Sequence, residues 1–183
     1  MNVTVYLGAS PGNNPAFEEA ARETGELIAR KGHTLVYGGC GTGLMGVLAS
    51  TVVESGGRAI GVIPDFLTRI EPPQEGLSEL LMVRSMEERK AKMIELGDAF
   101  VALPGGPGTL EEISEVYSLM KLHDVGAQPD VASGGCVFFS KAGFYDPLRE
   151  QMAAMHLAGF LSESLYSRLS FPETVEELAA CLR

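Results

Sequence analysis

Short β-branched runs alternate with longer stretches of helical period along the whole chain, and three of those runs end in glycine-rich turns. Parallel strands need a crossover of a dozen or more residues, usually a helix, so this alternation predicts a parallel sheet with helices packed on its faces. Strands are expected at residues 3–7, 34–37, 58–63, 80–83, 99–103 and 137–139. Helices are expected at 16–30, 44–55, 86–96, 110–122, 146–158 and 175–182. Residues 64–78, with Pro72-Pro73 and Gly76, read as a loop of about fifteen residues, a length that compact domains keep for functional or mobile segments. The segment 123–135 is a second irregular patch.

In an open α/β sheet, ligands bind beyond the carboxyl ends of the strands, so the residues just after each strand carry the information. Here they are Gly8-Ala9-Ser10-Pro11-Gly12, Gly38-Gly39-Cys40-Gly41-Thr42-Gly43 and Pro104-Gly105-Gly106-Pro107-Gly108-Thr109. Glycine lets backbone N–H groups approach a phosphate closely, and the helix that follows adds its positive end. The expected fold is one Rossmann-like nucleotide-binding domain over 1–183, α/β and doubly wound, with a mainly parallel sheet. A nucleotide or sugar phosphate is the natural guest, with Ser10, Gly39, Gly43, Gly106, Gly108 and Thr109 as candidate contacts.

Composition narrows the class. The chain is 45% apolar and 21% charged over 183 residues, which excludes disorder and suffices for a core without disulfides or a structural metal. Cys40, Cys136 and Cys181 are far apart and odd in number, so neither a disulfide framework nor a zinc site is indicated, and a reducing, cytoplasmic setting is expected. A net charge of -10 argues against a nucleic-acid or membrane-surface partner while leaving room for a small anion held by a few N–H donors. The 22 residues from Gly32 to Val53 carry no charge, yet six glycines divide them into strand, loop and helix, so no membrane span is expected. The N-terminus has no basic stretch and reads as a strand, not a signal peptide.

Several residues point further. Gly41-Thr42-Gly43-Leu44-Met45-Gly46 fits G-x-G-x-x-G, with Asp65 about twenty residues on, but it follows the second strand where the dinucleotide fingerprint follows the first. Glycines serving only a tight turn are the other reading of that loop, and the absence of a Walker lysine excludes a P-loop. Thr109 and Glu112 read as a capping box, which leaves three glycines and two prolines of the same stretch unexplained. Glu112 held in a first helical turn beside a phosphate site could orient water or stabilise positive charge developing on a sugar ring. Ser85 and Glu88 form a second capping box, placing Arg89 in a first turn where a cation opposes the helix dipole. An anionic partner, a ligand phosphate or Glu112 itself, would account for it; a solvated arginine balanced by Glu87 and Glu88 is the plainer alternative. His33, His123 and His156 lack metal-ligand spacing and read as structural, and Met45, Met86 and Met93 as core or pocket wall.

The pairing of Ser85-Met86-x-x-Arg89-Lys90 with Pro104-Gly105-Gly106-x-Gly108-Thr109-x-x-Glu112 resembles the Lonely Guy (LOG) family. Tyr37-Gly38-Gly39-x-x-x-Gly43-Leu44-Met45-Gly46, Gly61-Val62-Ile63-Pro64 and Gly143-Phe144-Tyr145-Asp146 also match, so the similarity spans nearly the whole chain. The resemblance implies hydrolysis of the N-glycosidic bond of an N6-modified adenosine 5′-monophosphate, or of AMP, to free base and ribose 5-phosphate, with no cofactor or metal. It implies Arg89 and Glu112 as the catalytic pair, Lys90 beside them, and Gly106, Gly108 and Thr109 as the phosphate cradle. It also implies Glu71 and Ser118 as further substrate contacts and a homodimer as the assembly. A non-catalytic nucleotide-binding module is the alternative from another class, and an old label of the family, lysine decarboxylase, would need a Schiff-base lysine. Cys40 stands where the family usually has a third glycine, Glu87 where histidine is frequent, and the stretch 121–139 departs from the family's short turn into an apolar strand.

Overall fold

The computed structural model describes residues 1–124, 126 and 135–182. Seven parallel strands form one sheet in the order β4-β3-β2-β1-β5-β6-β7, with strands at Asn2–Tyr6, Thr34–Tyr37, Arg58–Pro64, Glu79–Val83, Ala99–Ala102, Cys136–Phe138 and Leu169–Ser170. The helices are α1 (Pro15–Arg30), α2 (Gly43–Glu54), α3 (Met86–Leu96), α4 (Pro107–Asp124), α5 (Asp146–Leu157), α6 (Glu163–Tyr166) and α7 (Val175–Cys181). The chain runs outward from β1 through β2 and β3 to β4, then returns to the other side of β1 with β5, where Val3 pairs with Ala99 and Tyr6 with Ala102. That reversal opens a crevice above the carboxyl ends of β1 and β5.

The inner strands are buried on both faces because helices cover both. Val3, Val5, Leu7, Leu35 and Tyr37 face α1, α2 and α7, whereas Tyr6, Val36, Val62, Phe100 and Phe138 face α3 and α4. Each such side chain removed from water contributes about 1.5–3 kcal/mol, which is why the strand sequences read as near-continuous apolar runs. The buried Thr4 hydroxyl donates to the Met93 carbonyl at 3.0 Å and so fastens α3 to β1.

The differences from the sequence expectation have local causes. The helix expected from residue 110 begins at Pro107, because proline suits the first helical position and the first helical hydrogen bond runs from Leu110 N–H to the Gly106 carbonyl at 3.2 Å. Thr109 is therefore inside the first turn and the expected Thr109–Glu112 capping box is not formed. At α3 half of the expected box is present: Ser85 Oγ accepts from Glu88 N–H at 3.2 Å, while the Glu88 carboxylate accepts from Arg84 N–H at 2.8 Å. The two-residue strand β7 and the one-turn helix α6 are too short for any periodicity to reveal. The expected loop 64–78 is closely held, with a turn of 3₁₀ helix at Asp65–Leu67. Gly41 N–H donates to the Pro72 carbonyl at 2.8 Å and Gln74 N–H to the Gly39 carbonyl at 3.0 Å, pinning the loop to the β2 turn. Of the unusual stretch 121–139, residues 125 and 127–134 lie outside the described residues.

Candidate active site

Two helices each carry a short buried stripe whose first member is charged. On α3 only Arg89 and Met93 are buried, one turn apart on the same face: Met93 enters the core, and Arg89, nearer the N-terminus, overhangs the strand ends. On α4 Glu112, Val116 and Met120 share a stripe at four-residue spacing, and Glu112 again stands where that stripe passes the end of the sheet. A charge in such a position is enclosed without being in the core.

Arg89 is 4% exposed, and its guanidinium is committed to backbone oxygens at the ends of two strands. Nε donates to the Val62 carbonyl at 3.0 Å and Nη2 to the Gly38 carbonyl at 2.6 Å, while Nη1 lies 4.0 Å from the Met86 sulfur, a weak partner. Gly38 makes this seat available: a methyl group there would fall on Arg89 Nη2. Gly43 does similar work one turn on, with φ +58° and a Cβ position that would collide with the Ala9 carbonyl, so the β1 and β2 turns close against each other only through glycine.

Glu112 is 7% exposed and shares a cavity of 640 Å³ with Arg89, a size ordinary for a small-molecule site. Burial pushes its carboxyl up to about 7, opposed by the Arg89 charge and reinforced by the neighbouring Glu111. The two side chains make no direct ion pair, so each is left with capacity for a ligand. Lys90, also on the cavity wall, is held between Glu111 at 2.7 Å and Glu115 at 2.9 Å, which fastens α3 to α4 and keeps its ammonium well above the ordinary lysine range.

Of the residues singled out in the sequence, Ser10, Glu71, Arg89, Lys90, Gly106, Gly108, Thr109 and Glu112 line this one cavity. Gly39 and Gly43 do not: they lie behind the wall, where Gly39 packs against Ile63 and Gly43 against Ala9. Ser118 is exposed further along α4, outside the lining. Gly106, Gly108 and Thr109 form the N-terminus of α4, whose first amides have no partner within the helix and point an N–H cluster and a positive dipole end at the cavity. The other wall is apolar: Phe17, Leu44, Met45, Phe66, Leu67, Met86 and Phe144. Of these the sequence marks only Met45 and Met86 as wall, because single apolar residues in loops and first turns carry no periodic signal.

Among the described residues, no group of three or more His, Cys, Asp or Glu side chains is placed to hold a metal ion. Lys90 and Lys141 do not offer the desolvated amine of lowered pKa that a Schiff base calls for. Lys90 and Lys141 are raised by paired glutamates, and Lys31 donates to the Ala179 and Leu182 carbonyls at 2.7 and 2.8 Å.

Comparison with known proteins gives a consistent answer. The family described as "Possible lysine decarboxylase" matches residues 45–182. The chain is 41% identical, over its full length and 89% of the relative, to a cytokinin riboside 5′-monophosphate phosphoribohydrolase of Rhodococcoides fascians. It is 36% identical, over 96% of its length and 70% of the relative, to cytokinin riboside 5′-monophosphate phosphoribohydrolase LOG of Oryza sativa subsp. japonica. Among solved structures, the molybdenum cofactor binding protein from Rippkaea orientalis superposes with a TM-score of 0.72 over 99% of this chain and 94% of that one; at 18% identity the likeness is one of fold alone. With the family matched over most of its length and a relative 41% identical from end to end, the chain belongs to the Lonely Guy family.

Proposed function

We propose that the chain is an N-glycosyl hydrolase that cleaves N6-substituted adenosine 5′-monophosphate, or AMP, into free base and ribose 5-phosphate. The observation that carries this is the enclosure of Glu112 and Arg89 in one crevice with the N-terminal amides of α4. Those amides are the natural seat of the 5′-phosphate, which puts the ribose toward the carboxylate and the base toward the apolar wall of Met86, Phe66 and Leu67. As the C1′–N9 bond breaks, positive charge develops on the ribose ring. Ionised Glu112 stabilises that charge and accepts a proton from the attacking water, whose oxygen bonds to C1′; the departing base takes up a proton in turn. A carboxyl with a pKa near 7 is matched to that exchange at neutral pH. Arg89, anchored on two carbonyls, is the fixed cation that keeps Glu112 ionisable despite its burial. Gly106, Gly108, Thr109 and Ser10 serve the phosphate, and Lys90 and Glu71 border the site.

The assembly that fits is a homodimer. Leu80 and Met82 on the edge strand β4, with Leu110 and Leu122 on α4, are exposed and apolar, the kind of surface a second copy would cover. No helix among the described residues is long and apolar enough to cross a membrane.

The test is incubation of the purified protein with AMP and with isopentenyladenosine monophosphate, reading free base and ribose 5-phosphate by chromatography beside a Glu112→Gln control. Base release that falls by at least about a hundredfold in the control is expected. A folded wild-type protein that binds AMP and releases no base would sink the hydrolase reading in favour of a nucleotide-binding module.

A further inference from the structure

Apart from Phe144 on the cavity wall, the Gly143-Phe144-Tyr145-Asp146 motif takes no part in the chemistry above, yet the backbone that carries it is strained and closely held. Ala142, at φ 55° and ψ 30°, is the non-glycine residue with positive φ among those described. Such a conformation costs an L-residue about 1 kcal/mol or more and persists where the surroundings impose it. Those surroundings are explicit. Ser140 N–H donates to the Pro172 carbonyl at 2.7 Å. Its buried hydroxyl donates to Asp146 Oδ1 and accepts from Tyr145 N–H, both at 3.0 Å. Lys141 reaches across to α1, 2.8 Å from Glu23 and 3.6 Å from Glu19.

What this framework delivers is one hydrogen bond: the buried Tyr145 hydroxyl donates to the Leu103 carbonyl at 2.7 Å. Leu103 stands where β5 gives way to the glycine turn. Its own N–H donates to the Tyr6 carbonyl at the end of β1, and the next carbonyl, that of Pro104, accepts from Gly8 N–H at 3.1 Å. Leu103 and Pro104 thus join the β1 turn to the β5 turn, and Tyr145 fastens that junction from the β6 side. The residues that follow lead directly to Gly106, Gly108 and Thr109.

We infer that Tyr145 is a positioning residue for the substrate's phosphate group, setting through the Leu103 carbonyl where the first amides of α4 stand. This rests on the assignment of those amides to the phosphate in the proposed function. Tyr145→Phe removes the donor, leaves the ring, and strands a buried carbonyl.

The experiment is titration of AMP and of adenosine into protein carrying Glu112→Gln, so that nucleotide is not consumed, with and without Tyr145→Phe. The expected result is a rise of roughly fivefold or more in the Kd for AMP, matched by ribose 5-phosphate, with adenosine changed less than about twofold. Ser140→Ala, which loosens the same framework from its other end, should shift AMP in the same direction. An unchanged AMP affinity overturns the inference, and so does an equal loss for adenosine, the signature of a merely structural tyrosine. Base release by the wild-type protein is a separate readout: its absence beside a phosphate-selective loss in Tyr145→Phe would remove the hydrolase reading and leave this one standing.

Discussion

Glu112→Gln is expected to stabilise the fold at the same time as it abolishes activity, by an amount that depends on pH. Burial raises the folded-state pKa of Glu112 from 4.5 to about 7. The folded chain therefore holds this proton more tightly than the unfolded chain, so stability is highest with the group protonated and is lost as pH rises from the unfolded value through the folded one. At about 1.4 kcal/mol per pH unit the loss is under about 1 kcal/mol near pH 5 and about 3 kcal/mol by about pH 8. Glutamine does not ionise, so the gap between variant and wild type should open by about 2 kcal/mol over that interval, in the variant's favour. Any fixed effect of exchanging oxygen for an amide nitrogen is common to both pH values and cancels. Urea unfolding of both proteins at the two pH values, with equal m-values, measures the difference. A gap that stays flat with pH would refute the reasoning, because it would mean that the ionised carboxylate is as well solvated in the folded chain as in the unfolded one. If the gap opens, the group whose ionisation burdens the fold is the one the proposed chemistry requires, a trade of stability for function.

Two further predictions concern Arg89. If ionised Glu112 is the working form, kcat/KM should fall about tenfold per pH unit below about pH 7, and Arg89→Met, by removing the charge that favours ionisation, should move this acid limb upward as well as lower kcat/KM by at least about a hundredfold; a pH–rate profile of the variant unchanged in midpoint would contradict the coupling. Gly38→Ala should displace the guanidinium from its carbonyl seat while sparing the fold, since the methyl meets the far end of a flexible side chain. Thermal denaturation within a few degrees of wild type together with at least about a tenfold loss of kcat/KM is the expected pair of results; full activity would show that the Gly38 contact is dispensable.

Glycine turns after strands and two motifs at family spacing were legible because each is a local rule, satisfied or broken within a few residues. From them came the parallel α/β sheet, the crevice at the strand ends, and Arg89, Glu112, Gly106, Gly108 and Thr109 as candidates, which line one cavity. The capping box at Thr109 misled for a local reason as well: Pro107 offers a better first helical residue, and the hydrogen bond from Leu110 to Gly106 moves the helix start three residues upstream.

Other features depended on residues far apart in the chain. Arg89 and Glu112 are 23 positions apart in sequence, and whether they would pair or merely share a field was settled by the Gly38 and Val62 carbonyls, which claim the guanidinium first. Gly39 and Gly43 have the composition of ligand contacts, but the closeness of Ile63 and Ala9 turns them into the back of the wall. Tyr145 donates to a carbonyl 42 residues away, a partner that no periodicity or motif could name. Sequence determines what each residue is able to do, because backbone preference and side-chain chemistry are properties of the residue and its nearest neighbours. Tertiary structure alone decides which of those capacities is used, because desolvation and hydrogen-bond competition act between groups that meet only when the sheet closes.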